Sequence, residues 1–120
     1  MLVLLADGRA RVRSALRLLL EQQPGIQILG EAVDATGVFD WIRAACPDVI
    51  LLDWELPGQE SIELVAELSR ECPAMAVVIL SSQPEAAQAA RETGVHAFVS
   101  KSDPPERLLM ALDQLGHQDA

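Results

Sequence analysis

No stretch of this sequence approaches the ~20 consecutive apolar residues that a membrane-spanning helix needs. Its apolar runs, such as Leu2–Ala6 and Ala76–Leu80, are short. The opening Met1-Leu2-Val3-Leu4-Leu5 has no basic flank and meets Asp7 too soon for a signal peptide, so a cytoplasmic location is expected. Positive charge is scarce. Nine Lys and Arg face 18 Asp and Glu, and the net −9 argues against this domain itself gripping nucleic acid or an anionic membrane. Only two cysteines occur, Cys46 and Cys72, and neither has a neighbouring histidine, so they do not form a metal site. A disulfide between them is not expected in a reducing compartment. There is also no Gly-Lys-Ser/Thr loop, which excludes a P-loop nucleotidase.

What is present suffices for one core. Half of the 120 residues are hydrophobic, and the length suits one domain rather than two. Apolar runs at Leu2–Leu5, Ile26–Ala32, Asp48–Leu52, Ala76–Leu80 and Ala97–Val99 predict five strands. Four are nearly unbroken, as in parallel strands covered on both faces, whereas Ile26–Ala32 alternates and suits an edge. Helical stripes lie between and after them: Val12, Ala15, Leu16, Leu19 and Leu20; Val38, Trp41, Ile42 and Ala45; Leu108, Ala111, Leu112 and Leu115. A broader stripe holds Ile62, Val65, Ala66 and Leu68, with Leu64 beside them. The helix expected over Pro84–Thr93 has only alanines as apolar residues, and such weak burial predicts a movable element. Arg9, Arg11, Arg13 and Arg17 crowd one segment, which reads as a solvated helix face before a docking patch. Each Cys-Pro pair closes a helix just ahead of a strand. The alternation implies right-handed crossovers and a parallel sheet with helices on both faces.

In such sheets ligands bind beyond the carboxyl ends of the strands. The residues there are Asp7, Asp53, Ser81, Ser82 and Lys101. Two carboxylates, hydroxyls and an ammonium at one edge suit a hard divalent cation and a phosphoryl group. Asp7 could equally cap the following helix. Asp53 is no obvious cap, and a carboxylate at a buried strand end needs a partner. Lys101 is the only lysine in the chain. Phe98 alone would be read as core.

Four segments, Leu4–Asp7, Asp48–Gly58, Val77–Ser82 and Ala97–Lys101, resemble in order and spacing the signatures of response-regulator receiver domains. The opening and Pro24–Ala32 are most similar to receivers of LuxR-type DNA-binding regulators. The resemblance covers essentially the whole chain, as a receiver over residues 1–116 with 117–120 starting a linker or tail. It implies a flavodoxin-like (βα)5 three-layer sandwich with sheet order 2-1-3-4-5. It further implies that Asp53 accepts a phosphoryl group from a sensor histidine kinase, and that Ser81, Phe98 and Lys101 bind it and switch. Mg²⁺ would be held by Asp7, Asp53 and the backbone carbonyl of Glu55. The domain would be a signalling module rather than an enzyme, dimerising on activation, with any DNA contact made by an output domain.

Gly8 departs from the family, which usually has a second acidic metal ligand there, so weak Mg²⁺ binding is expected. The Glu55 side chain could restore part of the missing charge. The alternative is a degenerate receiver acting by phosphorylation-independent protein contact. Ser61 stands where a glycine is usual, and Ser102 where many receivers have proline. A flavodoxin would need a hydroxyl- and glycine-rich loop that Gly8-Arg9-Ala10-Arg11 does not supply. A haloacid-dehalogenase-type phosphatase would need a carboxylate where Arg9 stands.

Overall fold

The structure, a computed structural model, describes residues 1–118. Strand and helix alternate without exception: β1 (Leu2–Ala6), α1 (Ala10–Glu21), β2 (Gln27–Ala32), α2 (Ala35–Ala44), β3 (Val49–Asp53), then α3 (Ser61–Glu71), β4 (Ala76–Ser81), α4 (Ala86–Glu92), β5 (Ala97–Ser100) and α5 (Pro105–Gln118). All pairings are parallel and the order is β2-β1-β3-β4-β5, the flavodoxin-like arrangement. The expected tail over 117–120 begins inside the last turn of α5, and residues 119 and 120 lie outside the described region.

The near-continuous apolar strands fill two cores because successive side chains point to opposite faces. Leu4, Ile50, Leu52, Val77 and Ile79 meet α2, α3 and Ala90 of α4 on one face. Val3, Leu5, Leu51, Val78 and Leu80 meet Leu20 of α1 and Leu108, Leu112 and Leu115 of α5 on the other. Two helical stripes rotate relative to expectation. In α3 the buried residues are Leu64, Val65 and Leu68, continued by Cys72, while Ile62 is 48% exposed. In α2, Ala35 and Phe39 join Val38 and Ile42. α4 buries only Ala86 and Ala90.

Half of the basic cluster is spent within the fold. Arg13 and Arg17 both bind the Glu31 carboxylate on the edge strand β2, at 2.9 and 2.7 Å. This pairing holds the Glu31 carboxyl below the usual carboxylate range, with Arg17 the main cause.

Cys46 and Cys72 form a disulfide, which overturns the expectation that none would join them. The redox compartment says nothing of where the chain places the two sulfurs. Each closes a helix ahead of β3 or β4, and those strands pair in register, Val49 opposite Ala76. The two cysteines therefore meet at the foot of the sheet with Cα atoms 5.9 Å apart, a separation a disulfide spans. Among the described residues no helix is long and apolar enough to cross a membrane.

Candidate functional site

The switch in strand order falls between β1 and β3, and both carry a carboxylate at their carboxyl ends. Asp7 follows β1 and is 1% exposed; Asp53 ends β3 and is 5% exposed. Parallel pairing of β1 with β3 sets them side by side. Lys101, just past β5, reaches across and bridges them, its Nζ lying 2.7 Å from Asp7 Oδ2 and 3.1 Å from Asp53 Oδ1. The Lys101 backbone N–H donates to the Ser81 carbonyl at 2.9 Å, which fixes the root of that side chain on β4.

Backbone amides add to this bridge, at the second oxygen of Asp7 and at the same oxygen of Asp53 that meets Lys101. Asp7 Oδ1 accepts from the Arg9 N–H at 2.8 Å, while its other oxygen takes the ammonium. Arg9, not Asp7, is the N-cap of α1, and no side chain caps that helix. Asp53 Oδ1 accepts from the Glu55 N–H at 3.0 Å. Burial pushes the Asp53 carboxyl above the usual carboxylate range, against the pull of the Glu55 amide and Lys101 and with the Asp7 charge adding to the rise. Burial also works against the Lys101 ammonium, but its bonds to Asp7 and Asp53 outweigh it and hold its pKa above the ordinary lysine value.

Ser81 ends β4 and is fully buried. Its hydroxyl donates to Glu55 Oε2 at 3.0 Å and accepts from the Gln83 N–H at 3.0 Å. The Ser82 hydroxyl donates to the other Glu55 oxygen at 3.4 Å. The Glu55 carboxylate therefore enters the site, and it does so as the acceptor for the two serines. Phe98 lies on β5 opposite Ile79, half-buried against the α2–α3–α4 core, and does not line the Asp53 cleft. That cleft, of about 210 Å³, is lined by Gly8, Arg9, Asp53, Glu55, Pro57 and Lys101. Arg9 and Pro57 were not legible as lining residues, because they belong to loops whose course depends on neighbouring strands.

The loop after β3 is held in place by its turn. Gly58 has φ +104, a conformation that L side chains rarely adopt, and an added Cβ would lie 3.2 Å from the Ala35 amide. That amide donates to the Pro57 carbonyl at 2.9 Å, tying the loop to the start of α2. Ser61, the first residue of α3, ties back with its hydroxyl to the Trp54 carbonyl. At Gly8 a Cβ would meet Pro57 Cδ at 3.3 Å, so a side chain there would press on the same loop.

Mg²⁺ is commonly held by one or two carboxylates, with waters completing the octahedron. Asp7 and Asp53 converge closely enough to share one ammonium, which makes them a fitting pair for a hydrated ion. Gly8 adds no oxygen, and among the described residues no group of three His, Cys, Asp or Glu is placed to hold a metal. An ion held here would draw most of its oxygens from water.

Residues 3–113 match the family "Response regulator receiver domain". Response regulator UvrY of Escherichia coli (strain K12) is 29% identical over 112 residues, covering 92% of this chain and 51% of that protein. A protein-glutamate methylesterase/protein-glutamine glutaminase of Methylobacillus flagellatus is 35% identical over 103 residues, 82% of this chain and 29% of the enzyme. Among solved structures, RcsB from Salmonella enterica serovar Typhimurium, bound to promoter rprA with the phosphomimetic BeF3−, superposes with TM-score 0.91 at 25% identity, covering 98% of this chain and 60% of that one. A LuxR-family two-component response regulator from Aurantimonas sp. SI85-9A1 gives 0.88 at 29% identity, covering 97% and 85%. The chain spans about half the length of the UvrY proteins it matches.

Proposed function

The chain belongs to the response regulator receiver domain family, and from that premise we propose that Asp53 is its phosphoacceptor, charged by a sensor histidine kinase. The observation that carries this reading is the buried Asp53–Lys101–Asp7 bridge at the strand-order switch. Asp53 Oδ1 is engaged by the Glu55 amide and Lys101, so Oδ2 is the oxygen that attacks phosphorus. The new P–O bond forms as the P–N bond of the phosphohistidine breaks, and the imidazole leaves with the electron pair and takes up a proton.

The acyl phosphate then brings close to two negative charges into a largely buried site. Lys101 neutralises part of that charge as a compact ammonium. Ser81 exchanges its bond to Glu55 Oε2 for a phosphoryl oxygen, which leaves the Glu55 carboxylate held to the end of β4 by the longer Ser82 bond alone. Phe98, on the neighbouring strand and only half-buried, turns into the space vacated. The movement reaches α4, whose two buried alanines oppose it weakly, and so alters the α4–β5 surface.

The carboxylates of Asp7 and Asp53 and the backbone carbonyl of Glu55 would hold Mg²⁺, which when bound neutralises charge on the phosphoryl oxygens. With Gly8 in place of a third carboxylate, weak binding is the expected consequence. A longer parent protein that regulates transcription is supported by the LuxR-type relatives, and homodimerisation on activation belongs to the same reading. In that reading any DNA contact is made by an output domain, and the work is done in the cytoplasm.

Intact mass after acetyl phosphate treatment, with and without Mg²⁺, tests the assignment. One phosphoryl adduct in the wild type and none in Asp53→Asn is the expected result. No adduct at saturating Mg²⁺, together with a parent regulator indifferent to Asp53→Asn, would replace this reading with a phosphorylation-independent interaction module.

A further inference from the structure

The disulfide lies at the foot of the sheet, at the opposite end of β3 and β4 from Asp53 and Ser81. Its two halves differ in environment. Cys46 is exposed in the loop after α2, whereas Cys72 is 2% exposed and belongs to the apolar core beside Leu68 and Met75. An incoming thiol can therefore approach the Cys46 side of the bond, whereas the Cys72 side is screened by the core.

The fold around the bond is complete without it. β3 and β4 pair at five successive positions, from Val49 opposite Ala76 to Asp53 opposite Leu80. The Cys72 N–H donates to the Leu68 carbonyl, and the Met75 N–H to the Cys72 carbonyl, so backbone bonds hold the turn on both sides of Cys72. Cys72 as a free thiol would still pack as a small hydrophobe. These strand pairings and turn bonds do not pass through the disulfide.

We propose that Cys46–Cys72 is a reversible thiol–disulfide exchange site for low-molecular-weight thiols of the glutathione class, with Cys46 as the sulfur attacked. The thiolate attacks Cys46 Sγ, a mixed disulfide forms there, and the Cys46–Cys72 bond breaks. Its electron pair leaves on Cys72 Sγ, which takes a proton from water. A second thiol attacks its counterpart sulfur in the mixed disulfide, releasing the oxidised small disulfide and the Cys46 thiolate, which is protonated in turn. The small disulfide drives the same steps in reverse. The closed loop spans a sequence separation of 26 and contains Asp53 and all of α3, so exchange sets the stability of the unit that carries the acceptor.

The test is a titration of the native wild-type chain across glutathione buffers, from oxidised to reduced, with alkylation and intact mass as the readout. The expected result is no alkylation at the oxidised end and two alkylated thiols at the reduced end. The circular dichroism should be unchanged throughout, and Tm about 10 °C lower when reduced. In oxidised glutathione, Cys72→Ser should trap one glutathione on Cys46, and Cys46→Ser should take up none while folded. Two free thiols throughout, or a disulfide that yields to glutathione only in denaturant, would overturn the proposal. Equal glutathionylation of Cys72 in native Cys46→Ser would overturn the assignment of Cys46 as the attacked sulfur. The wild-type titration stands if either variant fails to fold.

Discussion

Lys101 compensates two buried carboxylates at once, so its removal should be felt well beyond the loss of one contact. Lys101→Ala leaves Asp7 and Asp53 facing each other without a counter-charge, and is expected to cost about 3 kcal/mol at neutral pH. Urea denaturation should show that cost shrinking in acid, where Asp53 takes up a proton. Asp53 has the opposite sign. Its folded pKa is raised by burial, so its contribution to stability is fully present below the ordinary aspartate value and is lost as pH rises through the folded value. Asp53→Asn never carries that charge. It should gain stability over the wild type at pH ~7 and show no gain at pH ~3, read from urea midpoints. The identities of the site residues were legible because each ends or follows an apolar run. The partner of Ser81 was not, because the bond to Glu55 joins the loop after β3 to the end of β4, and which strands neighbour is a property of the sheet.

Among the elements, β2 shows how local irregularity is fixed by a distant side chain. Its register with β1 slips between Val3 and Leu4, so that Ile28 and Gly30 pair while Leu29 is passed over. Gly30 then lies under the Trp41 ring of α2, where an added Cβ would come 2.3 Å from the ring. The Trp41 indole N–H donates to the Glu31 carbonyl at 3.0 Å and holds the ring there. Gly30→Ala must displace that ring or bend the edge strand, at an expected cost of about 1–3 kcal/mol. Urea denaturation gives the cost, and tryptophan fluorescence in a Trp54→Phe background reports the movement of Trp41. The alternation of Ile26–Ala32 correctly marked an edge strand, but no sequence pattern signals that a tryptophan eleven residues on requires a glycine. The α3 stripe differs from expectation for a related reason. Leu64 and Ile62 are equally apolar, and only the seating of the helix in the fold decides that Leu64 is buried and Ile62 exposed.

For the molecule as a whole, stability rests on two cores separated by one sheet, and substitutions should divide according to them. Leu52 is fully buried between β3 and the α2–α3 layer, so Leu52→Ala is expected to cost about 3 kcal/mol in denaturant unfolding. Leu18, 65% exposed on α1, is chemically identical, and Leu18→Ala should stay within about 0.5 kcal/mol. In α1 Leu20 alone is fully buried, with Leu16 and Leu19 partly buried beside it, while Arg13 and Arg17 anchor the helix to β2 through Glu31. The same two-sided architecture puts every strand's carboxyl end on one edge and every strand's amino end on the other. The acceptor site and the disulfide are therefore separated by the length of β3 and β4.

The order of strands and helices, the parallel sheet and the edge where chemistry belongs were determined by the sequence alone. Runs of apolar residues and the breakers between them depend only on neighbours along the chain. Which residues meet across that edge was decided by the tertiary structure. Lys101 reaches Asp7 across 94 positions of sequence, Glu55 captures Ser81 across 26, and Cys46 finds Cys72 across the same 26. Such contacts are set by strand order and register, which arise only when the two cores close around the sheet.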